Sequence, residues 1–186
     1  MSDAGGSHDA VRQPPREARL PGRRWVWPLV VAAVVLAPGR RLVMADLKAM
    51  AGDLGFNAPR TYVATGNLVF EGKDAPLADI EARLEAAFQA QFGKHVDIIL
   101  RTAQAWRKVA AQNPFDDGNG QDVGVRIMRR PLGPVALSML EAFAGPQVRM
   151  QIVNGDLWVN FGGKPSETRL LSHLTTRKLG IGTLRN

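Results

Sequence analysis

The sequence predicts an α+β fold in which strand, helix, β-hairpin and helix follow one another twice, and three observations carry that prediction. Apolar residues recur at positions 77, 80, 84, 88 and 92, with Pro76 ahead and Gly93 behind, which is the spacing of one buried helical face with its start and stop signals. Two pairs of short β-rich runs are joined by tight-turn dipeptides, Thr65-Gly66 in the first half and Asn154-Gly155 in the second. The run 29–36 is wholly apolar and rich in valine, and it is closed by Pro38 and Gly39, as a central buried strand is.

Taken in order, residues 1–24 are rich in Gly, Pro, Arg and Ser near their start, lack apolar periodicity, and read as a disordered leader. The run 25–38 follows Arg23 and Arg24. At that length it is too short to span a bilayer, which takes about 20 residues. An export signal over 23–38 is the minority reading, because Arg40 and Arg41 follow at once and no small-residue cleavage site is clear. Read as a strand, it opens the chain. Residues 45–54 then place Leu47, Met50, Ala51 and Leu54 on one helical face ahead of Gly55. Residues 60–64 and 67–71 form the first hairpin, 77–92 the long helix, and 96–101 a strand. The order βαββαβ is the ferredoxin-like arrangement.

The second half echoes the first. Thr102 is placed to cap a helix over 103–111, which Asn113 and Pro114 end. A polar loop leads to a strand at 122–128, a helix over 135–143, a hairpin of 148–153 and 156–161, and a closing helix over 167–179 with Ser166 as N-cap and Gly180 at its end. The predicted fold is therefore two ferredoxin-like halves, 25–101 and 102–186, in one compact unit of antiparallel sheets backed by helices. Two separate sheets or one fused sheet both satisfy the pattern.

Charge narrows the function classes. The net charge is +7, but residues 1–41 hold seven Arg against three acids and residues 164–186 hold five Lys or Arg against one Glu. The 122 residues between them carry twelve bases and thirteen acids, so a basic groove tracking a nucleic-acid backbone is weakly supported. Tyr62 is the only tyrosine, and the third strand offers only Phe70, which is poor in aromatics for RNA binding on a ferredoxin-like sheet. With no cysteine there is no disulfide framework, thiolate metal site or cysteine nucleophile, and a reducing, cytoplasmic location fits.

Two Gly-containing loops are the candidate ligand sites. Thr65, Gly66 and Asn67 form a hairpin turn whose amides could meet an anion, or whose Gly and Asn merely permit a positive φ. Gly162, Gly163, Lys164 and Ser166 join a strand to a helix, where amides beside a Lys can seat a phosphate, and Arg169, Arg177, Lys178 and Arg185 extend that seat or simply solvate a terminal helix. This is no P-loop, since Pro165 follows the Lys and Trp158 stands at the first Gly position. Asp116, Asp117, Asn119 and Asp122 miss the calcium-loop spacing, and His95 and His173 belong to no metal spacing, so neither metal nor cofactor is expected. Three functions compete: a non-catalytic module binding an anionic small molecule or nucleic acid, an enzyme acting on a phosphorylated or carboxylated metabolite, and a homodimer paired through β-edges.

The hairpin residues Thr61, Tyr62, Val63, Ala64, Thr65, Gly66, Asn67, Leu68, Val69 and Phe70 resemble the hallmark of the bacterial family called domain of unknown function 1697. Leu42, Val43, Met44, Ala45, Asp46 and Leu47 resemble its first helix entry, and Asn113, Pro114 and Phe115 its central turn. Thr168, Arg169 and Leu170, with Arg177, Lys178, Leu179, Gly180, Thr183, Arg185 and Asn186, resemble its C-terminal segment. The resemblance covers residues 42–186 and implies a cytoplasmic α+β protein with ferredoxin-like subdomains and no established activity. It departs at both ends. Where the family has an arginine, an asparagine and two glycines, this chain has Ala33, Leu36, Pro38 and Gly39, and the family's tryptophan-containing ending does not follow Asn186, so both ends read as altered.

Overall fold

The computed structural model describes residues 29–35, 43–62, 67–72, 75–116 and 119–186. The leader reading of 1–24 lies outside them, as do Thr65 and Gly66. The first group of elements is β1 (Leu29–Val35), α1 (Met44–Asp53), β2 (Asn57–Tyr62), β3 (Asn67–Glu71), α2 (Leu77–Phe92) and β4 (Asp97–Thr102). The second is α3 (Ala103–Ala111), β5 (Val123–Met128), α4 (Val135–Glu141), β6 (Arg149–Val153), β7 (Asp156–Asn160), α5 (Thr176–Leu179) and β8 (Gly182–Arg185). Two four-stranded sheets result, ordered β2-β3-β1-β4 and β6-β7-β5-β8. Every neighbouring pair is antiparallel, and both sheets use the same permutation, with the first strand central between the third and the fourth. The protein is thus an α+β structure with two sheets rather than one fused sheet.

Alternation along the strands divides the interior into three clusters. Leu68 and Phe70 of β3 and Ile98 and Leu100 of β4 face α1 and α2, where Leu47, Met50, Ala51, Ile80, Leu84 and Phe88 close a core. Each fully buried Leu or Phe there contributes about 1.5–3 kcal/mol. Gly93, at φ 65, ends α2 in the left-handed conformation that only glycine adopts without strain. On the second sheet, Leu157, Val159 and Phe161 face a cluster with Leu140 of α4, Leu170, Leu174 and Leu179. Trp158, between two of them in sequence, points to the opposite face. There it joins Val123, Val125 and Ile127 of β5, Phe115, and Ile99 of β4, with Trp106 and Val109 of α3 packed alongside. This third cluster ties the first sheet to the second.

Several elements keep the expected bounds, and the exceptions have local causes. The Thr102 hydroxyl accepts from the Ala105 amide 3.1 Å away and starts α3. Asn154 (φ 51) and Gly155 (φ 87) make the second hairpin turn, against which Pro131 packs. The first hairpin strand starts three residues earlier than its β-rich text, because a bulge between Asn57 and Arg60, with Ala58 at φ 47, lets the chain re-enter register past Pro59. The single closing helix over 167–179 is not formed. Instead there are two 3-10 turns, Pro165–Glu167 and Arg169–His173, then the short α5 and the strand β8. Thr168 (ψ 142) and Thr175 (ψ 156) are extended, and the Thr168 and Ser172 hydroxyls donate to the carbonyls of Pro165 and Arg169. Such local bonds compete with a continuous helix. Ser166 lies within the first turn and makes no cap. β8 packs closely on β5 at Gly182, where a Cβ would lie 2.6 Å from the Met128 sulfur and 2.9 Å from Arg126 Nε and would displace those side-chain ends. Among the described residues, no helix is long and apolar enough to cross a membrane.

Candidate functional site

Asn67, the described residue of the first predicted loop, lies apart from Ser166 and Arg169 of the second. Asn67 stands in a row that crosses the first sheet as Tyr62, Asn67, Ala33 and Ile99. Directly paired residues point to one face, and Ile99 lies in the cluster between the sheets, so Asn67 is on the face turned toward the second sheet. Gly162 (φ 66) and Gly163 follow β7, with the Gly162 amide donating to Asn160 Oδ1 at 2.9 Å and Gln147 packed where a Cβ would sit. Arg169 precedes Leu170, which is buried on the far face of the second sheet. The second sheet therefore stands between Asn67 and the segment of Ser166 and Arg169. Lys164 is exposed and pairs with Glu167 at 3.6 Å.

Charged groups at the junction of the two sheets are mostly matched. Arg129, just after β5, donates to Glu81 at 3.2 and 3.3 Å and to Glu85 at 2.7 Å, and lies 3.6 Å from Asp97. Burial lowers its pKa, but the two glutamates outweigh it and hold the guanidinium above the ordinary arginine value. Those glutamates also accept from β4, Glu81 from the Leu100 amide at 2.8 Å and Glu85 from the Ile98 amide at 2.9 Å. Arg101 lies 3.7 Å from Asp156 and donates to the Met128 carbonyl. Burial raises the Asp156 carboxyl above the usual range, opposed by the Met128 amide and by Arg101.

Arg185 is the exception. In β8 it pairs with Val125 and so shares the inter-sheet face with Trp158, which is opposite Val125 on the other side. Its Nε and Nη2 are shielded from solvent and meet no acceptor. Burial lowers its pKa, and no carboxylate acts against that. On the same cluster, the shielded Nε1 of Trp106 also lacks an acceptor. β1 lies against both α3 and β8, which brings the Asn67 row and the strand of Arg185 to one seam. Arg126 is a different case: burial takes it down to about 10, but it donates to the Gly180 carbonyl at 3.1 Å and its free Nε is covered by Gly182, on the other face of the sheet. No group of three or more His, Asp or Glu side chains able to hold a metal occurs among the described residues.

Sequence reasoning gave Arg185 either as an extension of the 162–166 anion seat or as a charge solvating a terminal helix, and passed over Trp106. The alternation of Ile181, Thr183 and Arg185 against Gly182 and Leu184 was the available signal for a strand with Arg185 on an inner face.

These features define a class: an α+β protein of two like-ordered antiparallel sheets, with an uncompensated arginine at the seam between them. The chain belongs to the family described as Protein of unknown function (DUF1697), whose sequence profile matches residues 30–158. The match starts within β1. Among solved structures, the chain is similar to that of conserved bacterial protein SP0830 from Streptococcus pneumoniae, at 18% identity, with a TM-score of 0.64 over 86% of this chain and 92% of that one. That likeness supports the fold. No curated protein matches the chain.

Proposed function

We propose that the protein is a binding module for an anionic small molecule, taken up at the seam between the two sheets with Arg185 as its principal charge. The observation that carries this reading is a guanidinium with two shielded donor nitrogens, Nε and Nη2, and neither an acceptor nor a counter-charge for them. A group left so costs about 1–3 kcal/mol or more, and an anion with oxygen acceptors repays that cost while making charge-assisted bonds. The Trp106 indole N–H adds a third donor to the same cluster. The shared strand order supports reading each sheet with its helices as a ferredoxin-like half, the two divided near residue 101.

The test is thermal unfolding with phosphate, sulfate and citrate, in wild type and in Arg185→Met. An anion at 100 times its Kd stabilises by about 2.7 kcal/mol, which for a chain of this size raises Tm by about 5–10 °C. The variant should lose that rise while unfolding, without ligand, at or above the wild-type temperature. Anions that shift both proteins equally act only as excluded salts, and that result removes the reading.

A further inference from the structure

We propose that β6, the outer strand of the second sheet, pairs with β6 of a second copy of this chain, joining two molecules about a two-fold axis at Gln151. The proposal stands apart from the anion site. β6 and β8 end the second sheet. β8 lies against β1, whereas among the described residues no strand pairs with the outer side of β6. β2, at a border of the first sheet, has its ladder interrupted by Pro59 and the bulge between Asn57 and Arg60. β6 carries neither device: Arg149, Met150, Gln151, Ile152 and Val153 include no proline, and their pairing with β7 runs without a shift.

Register shows which groups face outward. The Phe161 amide donates to the Asp122 carbonyl at 2.8 Å, so in β7 the amides of Leu157 and Val159 also turn to β5, and those of Asp156, Trp158 and Asn160 turn to β6. Their partners Val153, Gln151 and Arg149 therefore spend their main-chain groups inside the sheet, and Met150 and Ile152 turn theirs outward. Such a row is a template for another strand. Antiparallel pairing about Gln151 sets Met150 opposite the second copy's Ile152 and satisfies the outward N–H and C=O of both residues on both chains. Their side chains lie on the helix-covered face, where they continue the apolar cluster across the join. On the other face the exposed Gln151 meets its own copy, two primary amides able to bond each other, and Arg149 meets a valine, so no like charges are opposed. Helix α4 supplies the second observation. It packs on β6 and turns Ala136, Leu137 and Leu140 to the cluster, leaving Val135 and Met139, one turn apart, 73% and 49% exposed. Strands lie about 4.8 Å apart, so pairing carries each α4 to the side of the other copy's β6 and α4, where these two side chains leave water.

The experiment is sedimentation equilibrium of the full chain over a concentration series, for wild type, Gln151→Glu, Gln151→Lys, an equimolar mixture of those two, and Met139→Glu. Wild type should form a reversible particle of two chains. Like charges opposed at the axis should weaken the dimer of each Gln151 variant at least about tenfold. The mixture should recover wild-type association or better, because at a two-fold axis a residue meets its own copy. Met139→Glu should weaken the dimer as well. All three substitutions are at exposed side chains, so the chains fold, and a misfolded chain would not recover on mixing. Wild type that stays a single chain throughout the series overturns the proposal. A dimer that tolerates either charge at Gln151, or one lost in both variants and not recovered in the mixture, overturns the two-fold at that residue. A dimer indifferent to Met139→Glu overturns the placement of α4 at the join.

Discussion

Replacing Arg129 with methionine removes the charge that joins the two sheets, and the structure sets the size of the loss. Three hydrogen bonds disappear, one at 2.7 Å to Glu85 and two at 3.2 and 3.3 Å to Glu81, together with the pairing to Asp97 at 3.6 Å. Breaking a buried ion pair on one side costs about 3–5 kcal/mol, because the abandoned charges stay desolvated. Two features pull this case toward the lower end. The Arg129 side chain is 24% exposed, and both glutamates keep an amide donor from β4. The expected cost is about 3 kcal/mol, a fall in Tm of about 6–12 °C for a chain of this size. Urea unfolding of wild type, Arg129→Met, Glu81→Gln and the double variant gives both the cost and a coupling energy, expected to exceed about 1 kcal/mol. If Arg129→Met lies within about 0.5 kcal/mol of wild type and the two changes simply add, the cluster is a solvated surface group and the account of the junction is wrong.

Two further outcomes follow from local geometry. The Asp156 carboxyl has a raised pKa in the folded state, so the native protein holds that proton more tightly than the unfolded chain does. Its contribution to stability is present below the unfolded value near 3.8 and is lost as pH climbs through the raised folded value, so wild type should lose ground to Asp156→Asn over that rise. Denaturant midpoints at several pH values check the sign, and a difference that stays flat or grows in favour of wild type refutes it. Gly155→Ala places a Cβ 2.4 Å from Pro131 Cβ at φ 87, and should cost about 2 kcal/mol or more. Gly52→Ala in α1 meets nothing within 4 Å and should instead stabilise by about 0.5 kcal/mol, so equal effects at the two glycines would contradict the backbone argument.

What could be read from the sequence depended on how local the controlling physics was. α2 was legible to the residue, since its apolar face repeats over more than four turns and Pro76 and Gly93 mark its ends. α3 was legible through one hydroxyl, that of Thr102. The C-terminal segment was not, because its apolar residues satisfy a helical period while Thr168 and Thr175 adopt extended backbone, and only packing against β5 makes Gly182–Arg185 a strand. The seam was half legible. The hairpin was legible, but a two-residue turn at Thr65 and Gly66 would pair Ala64 with Asn67, whereas the register pairs Tyr62 with Asn67. That β8 approaches β1 depends on how residues more than a hundred positions apart are brought together, and no local pattern encodes that.

The glutamates on α2 also occupy one border of the first sheet. β4 ends the first sheet, and its outward amides at Ile98 and Leu100 already donate to Glu85 and Glu81, while the Leu100 carbonyl accepts from Arg101. A foreign chain arriving there to extend the ladder finds the Ile98 and Leu100 amides already bound. Those two donors are withheld from a further strand by two side chains reaching in from a neighbouring helix.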